Sequence, residues 1–169
     1  RLTSISFSLN EGNLRLQFSE TIDILSLNID QIVIQSSVNS SNFVTLSGGS
    51  VSPTDAATEF TVKLLDSDLN EIKHKDGLAV SNTTTYITVT SELIKDMAGN
   101  ELAPTTNESA LVVSEFVQDT TKPKLLSYTL DMALGMITMN FSETVEVDSL
   151  DPSAFTLQDQ ASTPTSEYA

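Results

Sequence analysis

Phe18-Ser19-Glu20-Thr21 returns as Phe141-Ser142-Glu143-Thr144, 123 positions later (141 − 18). The match extends on both sides. Leu14 to Ile22 aligns residue for residue with Ile137 to Val145. Downstream, Ser26-Leu27 answers Ser149-Leu150, and Ile32-Val33-Ile34-Gln35 answers Phe155-Thr156-Leu157-Gln158. Upstream, Ser6-Phe7-Ser8-Leu9-Asn10 aligns with Ser127-Tyr128-Thr129-Leu130-Asp131 at a spacing of 121 (127 − 6). That shorter spacing implies two extra residues in the turn Met132-Ala133-Leu134-Gly135, a change that a hairpin loop tolerates. A chain that repeats itself builds the same local structure twice. The expected organisation is a complete repeat over 1–120 and the first part of a second over 121–169. Both ends read as cuts through a longer protein.

Within each copy the apolar residues alternate. Leu2, Ile5, Phe7 and Leu9 are separated mostly by Ser and Thr. The turn Asn10-Glu11-Gly12-Asn13 follows, and then Leu14, Leu16 and Phe18 alternate with Arg15, Gln17 and Ser19. Period two is the pattern of a strand with one buried face, so these residues form a hairpin. Further strands are expected at 32–34, 43–46, 59–64, 84–90 and 109–117, and 36–42 and Gly48-Gly49 through Pro53 read as loops. Around Leu69 and Ile72 the spacing changes to three. A two-turn helix is expected there, with Asp66 or Ser67 as its cap. Seven or so short strands separated by turns give an all-β antiparallel sandwich. The chain has no cysteine, and a core of this size can be stable without disulfides.

The formal net charge is −15. Nucleic-acid binding draws its affinity from Lys and Arg on phosphates, so that class is excluded, and docking on anionic lipid is disfavoured. No apolar run approaches the length of a membrane-spanning helix, so no membrane insertion is expected in this segment.

Three signatures occur in order: the Phe-Ser-Glu box at 18–20 and 141–143, Asp96-Met97-Ala98-Gly99-Asn100 late in the repeat, and Asp119-Thr120-Thr121-Lys122-Pro123 at the repeat start. This pattern resembles the bacterial-type immunoglobulin-like domains of surface-layer proteins and large adhesins. The resemblance implies tandem immunoglobulin-like repeats, an extracellular or cell-surface location, and a structural or adhesive role. The helix near Leu69 departs from the plainest members. The expected partners are neighbouring repeats of the same protein, in a tandem array or homopolymeric filament. The expected function is that of a mechanical spacer in a filament, sheath or adhesin stalk. The rival is a surface module that binds glycan or protein through its loops.

The chain carries no nucleophile elbow, phosphate-binding glycine loop or zinc spacing. His74, the sole histidine, sits beside Lys73, Lys75 and Asp76 at a helix end, without an evident orienting partner. The expectation is that the chain is not an enzyme. Calcium is the expected ion if any is bound, since it takes six to eight oxygen ligands. Asp66-Ser67-Asp68-Leu69-Asn70 opens like an EF-hand loop, but Glu71 stands where the loop glycine belongs and Gly77 where its last glutamate belongs. The candidate ligands are Glu20, Asp96, Asn100 and Asp119. The alternative is that Asp96 and Asn100 bond within their own turn while Glu20 is solvated. Four sequons, at Asn39, Asn82, Asn107 and Asn140, are candidate N-glycosylation sites, with unmodified polar loops as the alternative.

Overall fold

The computed structural model describes residues 1–160 and the backbone of 167–168. The chain divides into two compact units, Arg1–Thr121 and Lys122–Ala169. It is mostly β, with several antiparallel sheets and one α-helix.

The first unit holds ten strands: β1 (Leu2–Ser8), β2 (Asn13–Asp23), β3 (Ile32–Gln35), β4 (Phe43–Thr45), β5 (Gly49–Ser52), β6 (Ala57–Leu64), β7 (Tyr86–Val89), β8 (Lys95–Asp96), β9 (Leu111–Val112) and β10 (Glu115–Val117). One sheet runs β10-β1-β2-β6-β5, with β8 also on β2; the other runs β4-β3-β7-β9. Alternation sends Ile5, Phe7, Leu14, Leu16, Phe60 and Val62 of the first sheet inward. They share one core with Ile32, Ile34, Val44, Ile87 and Val89 of the second. Phe18 stacks on Phe60 with ring centroids 5.6 Å apart.

Three details depart from the sequence expectation. The stretch expected as one strand over 109–117 is split between the sheets. Val113 donates to the Thr85 carbonyl at 3.1 Å, and the next residue, Ser114, donates to Ile5 at 2.8 Å. The chain thus changes sheets between β9 and β10. Having crossed over, β10 lies parallel to β1, with Ser6 opposite Glu115, a pairing that a hairpin turn cannot make. Second, Gly49 to Ser52, read as loop, is the strand β5 on the edge of β6. Gly49 permits this close approach, because a Cβ there would lie 2.4 Å from the Lys63 carbonyl oxygen. Third, the helix α1 (Asp66–His74) is capped by neither Asp66 nor Ser67. Its N-cap is Leu65, without a side-chain bond. Asp66 and Asp68 lie in its first turn and Lys73 and His74 in its last, matching the helix dipole.

The second unit holds β11 (Leu125–Asp131), β12 (Met136–Phe141), β13 (Leu157–Gln158) and β14 (Glu167–Tyr168). It repeats the opening of the first at one constant offset of 123. Leu2 pairs with Phe18 as Leu125 pairs with Phe141; Ile5 with Leu16 as Tyr128 with Met139; Phe7 with Leu14 as Leu130 with Ile137. The same irregularity interrupts both ladders, between Leu2 and Ser4 and between Leu125 and Ser127. The 3-10 turns Ile24–Ser26 and Ile29–Gln31 return as Val147–Ser149 and Pro152–Ala154. Single bonds repeat too. Ser19 donates to the Arg1 carbonyl and Ser142 to the Lys124 carbonyl, both at 2.9 Å.

The expected offset of 121 for the first strand is therefore corrected, and the turn has no insertion. Gly12 and Gly135 occupy equivalent turn positions with φ of 63° and 64°, the left-handed region that favours glycine. A slip of two residues leaves every side chain on the same face of a strand. Alternation therefore could not expose the error, and the similar strings Ser-Phe-Ser-Leu and Ser-Tyr-Thr-Leu invited it. Phe141, expected to be as buried as Phe18, is only half-buried, whereas Phe18 is 4% exposed. In the first unit β6 and the second sheet close over the hairpin; among the described residues the second unit has no counterpart of β6.

Candidate functional site

The four candidate calcium ligands fall at two ends of the first unit. Glu20, Asp96 and Asn100 border one surface pocket of about 240 Å³, together with Arg1, Lys95 and Glu101. Asp119 is not among them. Its Oδ2 lies 2.6 Å from Lys73 Nζ on the last turn of α1, and its Oδ1 accepts from the Thr121 amide at 3.1 Å. Thr121 also bonds Asn10, in the β1–β2 turn. That turn lies before Asn13 on β2 and Glu20 lies seven residues beyond it, roughly 23 Å along a strand. The four-residue set is thus corrected: three of its members come together, and Asp119 is committed to the helix.

At the shared pocket the Asp96 carboxylate is already engaged. Oδ1 accepts from the amides of Ala98 and Asn100, both at 2.8 Å, and Oδ2 accepts from Asn100 Nδ2 at 2.7 Å. The Asp96 carbonyl accepts from Gly99 at 3.0 Å. The Asn100 side chain, followed by its backbone amide, holds the Asp96 carboxyl below the usual carboxylate range. Glu20 Oε1 is 3.5 Å from the Arg1 amino group. The Asp96–Asn100 segment is a self-satisfied turn of the Asx type, and no group of three or more His, Cys, Asp or Glu among the described residues is arranged to hold a metal ion. Three of the roughly four accepting sites of the Asp96 carboxylate are thus taken by its own turn, which leaves little of it for a cation.

The four sequon asparagines are all exposed. Asn39 has φ of 57° and its amide donates to the Asn107 carbonyl at 3.1 Å, which sets two sequons side by side. Asn82 opens the 3-10 turn Asn82–Thr84, and Asn140 lies on β12 opposite Ser127. His74 is exposed on α1.

Two features escaped the sequence reading. Asp68, there part of a rejected calcium loop, is 4% exposed. Its oxygens accept from Ser47 Oγ at 2.6 Å and from the Ser47 amide at 2.8 Å. Its signal was the helical spacing of Asp68 from Ile72, which sets both on the inner face of α1. The second feature is the outer face of the β4-β3-β7-β9 sheet. There Phe43, Gln35, Tyr86 and Val112 form one cross-strand row, with Phe43 44% and Val112 49% exposed.

No family model matches the chain, and no curated protein matches it. Among solved structures, a crystal structure described as a thermostable esterase matches with 17% identity and a TM-score of 0.43, over 80% of this chain and 40% of that one. The expectation that the chain is not an enzyme is corrected on this finding and is not carried forward. A likeness at that score supports neither a shared fold nor an esterase activity.

Proposed function

We propose that the chain is a structural repeat module of a long extracellular filament, sheath or adhesin stalk, with an immunoglobulin-like sandwich as its unit and spacing as its task. The observation that carries this reading is the constant offset of 123. Strands, ladder irregularity, turn glycines and single hydrogen bonds recur at it. Faithful geometric repetition is the mark of an array whose units share one design. The acidic surface suits a solvated exterior, and the sequon asparagines are exposed for glycan attachment.

Force spectroscopy on the chain held at its two ends tests the spacer role. The first unit is expected to rupture in a single event, lengthening the tether by roughly 400 Å, since an extended chain spans about 3.3–3.6 Å per residue. Gradual extension at low force would overturn it. Imaging of the native particle adds the assembly: a regular filament supports the reading, and isolated heads oppose it.

The second reading is a glycan- or protein-binding surface module. The row of Phe43, Tyr86 and Val112 across the outer sheet face favours it, because exposed aromatic faces stack on sugars and apolar partners. Glycan-array binding lost on Phe43→Ser would decide for it.

A further inference from the structure

The four sequons differ in what the fold does with their hydroxyls. N-glycosyl transfer needs two groups of a sequon at once, the asparagine side-chain amide and the hydroxyl two residues on. In Asn82-Thr83-Thr84 that hydroxyl is Thr84 Oγ1. It accepts from the amides of Val80 at 3.1 Å and Ser81 at 3.0 Å, and it donates to the Ser81 carbonyl at 3.2 Å. In Asn107-Glu108-Ser109 it is Ser109 Oγ, which accepts from the Thr106 amide at 2.9 Å and lies 3.1 Å from Thr106 Oγ1. In Asn140-Phe141-Ser142 it is Ser142 Oγ, which accepts from the Lys124 amide at 2.9 Å. Asn140 itself is fixed in the β12 ladder opposite Ser127. To be recognised, each of these hydroxyls must break such bonds, and a typical one is worth a factor of about two to ten.

Asn39-Ser40-Ser41 is different. Among the described residues neither the Asn39 side chain nor Ser41 Oγ has a hydrogen-bond partner, and both residues are exposed. The loop that carries them is tied at its base. The Ser36 amide donates to the Asn42 carbonyl at 3.0 Å, and Asn42 Nδ2 donates to the Asp76 carbonyl at 2.8 Å. The hydroxyls of Ser36 and Ser40 lie 2.7 Å apart. Asn39 turns the chain at the tip with φ of 57°, a left-handed conformation that asparagine adopts more readily than most residues. A fixed base thus presents the acceptor nitrogen and its hydroxyl together.

We infer that Asn39 is the N-glycan acceptor of the folded protein, and that the other three sequons stop being acceptors once the fold has formed. The co-substrate is an oligosaccharide carried on a polyprenyl pyrophosphate. The step forms a bond from Asn39 Nδ2 to the anomeric carbon of the sugar and breaks that carbon's bond to the pyrophosphate oxygen. The lipid pyrophosphate leaves, and the amide proton passes to a base of the transferring enzyme. This inference deepens the extracellular reading and rests on it for its setting. Failure of the transfer would leave the spacer role to the force measurement, which reads the mechanics of the chain alone.

The test uses the full chain made without glycan, a single-subunit oligosaccharyltransferase and a polyprenyl-pyrophosphate chitobiose donor. Peptides of residues 36–44, 79–87, 104–112 and 137–145 serve as unfolded references, and mass spectrometry after proteolysis follows each site. At Asn39 the folded chain is expected to react as fast as the peptide. At Asn82, Asn107 and Asn140 it is expected to react about tenfold more slowly than the peptide or worse. Ser41→Ala, at an exposed position, is expected to stop transfer at Asn39 without moving the melting midpoint, and Ser41→Thr to keep it. The inference is overturned by a folded chain about tenfold slower than the peptide at Asn39. It is also overturned by folded-chain transfer at Asn82, Asn107 or Asn140 as fast as in the matching peptide, or by transfer at Asn39 that survives Ser41→Ala.

Discussion

Asn10 Oδ1 accepts from Thr121 twice, from the hydroxyl at 2.8 Å and from the amide at 3.2 Å, and from the Thr120 amide at 3.1 Å. The β1–β2 turn thereby grips the last residues of the first unit, and Lys73 holds the neighbouring Asp119. The Asp-Thr-Thr-Lys-Pro string, read as a repeat marker, contributes its first three residues to closing the unit. Asn10→Ala removes one acceptor shared by three donors. Because the site is exposed and water replaces part of the loss, the expected cost is about 1 kcal/mol. Faster exchange is expected at the Thr120 and Thr121 amides, with the core amides unchanged in rank. Unaltered exchange at those two amides would show that the bonds do not hold the segment.

The two phenylalanines of the repeated box should differ in energetic weight. Phe18→Ala removes a ring that is 4% exposed and stacked on Phe60, and the expected loss is about 3–5 kcal/mol. Phe141→Ala acts at a partly exposed site, so a smaller loss is expected, in line with the smaller area removed from water. Denaturant titrations followed separately for each unit would measure both. Equal costs would mean that Phe141 is covered by more than the described residues provide.

The repeat, the hairpin and the short helix were legible because each rests on a local pattern: the Phe-Ser-Glu box, the alternation around Leu14 and Leu16, and the three-residue spacing of Leu69 and Ile72. What failed was set by tertiary geometry. The register of Ile5 against Leu16 cannot be read from alternation, since a two-residue slip leaves the faces intact. The crossing at Val113 and Ser114 depends on Thr85 and Ile5, both far away in sequence. Asp119 carried the right chemistry for a metal ligand but lies at the wrong end of the unit. Asp68 stood out only as part of an incomplete EF-hand loop, because the fold alone brings its partner Ser47 against it.

Asp96 makes the pH behaviour of its turn testable. Its carboxyl is held low chiefly by the Asn100 side chain and next by the Asn100 amide. A depressed folded-state pKa contributes stability above the unfolded value and loses it as pH falls through the folded value. The turn should therefore stay ordered through mildly acidic pH and loosen only below the usual aspartate range. An NMR titration of the Asp96 carboxyl should show the low value, and Asn100→Ala should raise it toward the ordinary one. A wild-type Asp96 titrating normally would refute the geometry. Because the turn's own donors occupy most of the Asp96 carboxylate, melting in excess chelator is expected to match melting in calcium; a lower midpoint in chelator would show that the ion binds.

Asp68 is a buried carboxylate that accepts from both the amide and the hydroxyl of Ser47. It ties the first turn of α1 to the chain just after β4. Asp68→Ala strips the Ser47 amide and hydroxyl of their acceptor in a nearly closed site, and the expected cost is about 1–3 kcal/mol. Asp68→Asn keeps one acceptor oxygen and should lie between wild type and Ala. Equilibrium unfolding in urea would rank the three. A harmless Asp68→Ala would mean that water reaches Ser47 as readily as the carboxylate does.

The two units should behave differently when separated. Among the described residues, every buried hydrophobic side chain lies between Leu2 and Val113. In the second unit the best-covered apolar side chains, such as Met139, Phe141 and Phe155, remain partly exposed. Folding requires enough buried apolar area to offset the conformational entropy of every ordered residue, and two-stranded pairings alone are marginal in water. Residues 1–121 expressed alone should unfold in one cooperative transition, because both sheets and their shared core are present. Residues 122–169 alone should give poorly dispersed amide signals and no sharp melting transition. A well-dispersed 122–169 fragment without any added strand would show that its half-open hairpin closes by a route absent from the described residues.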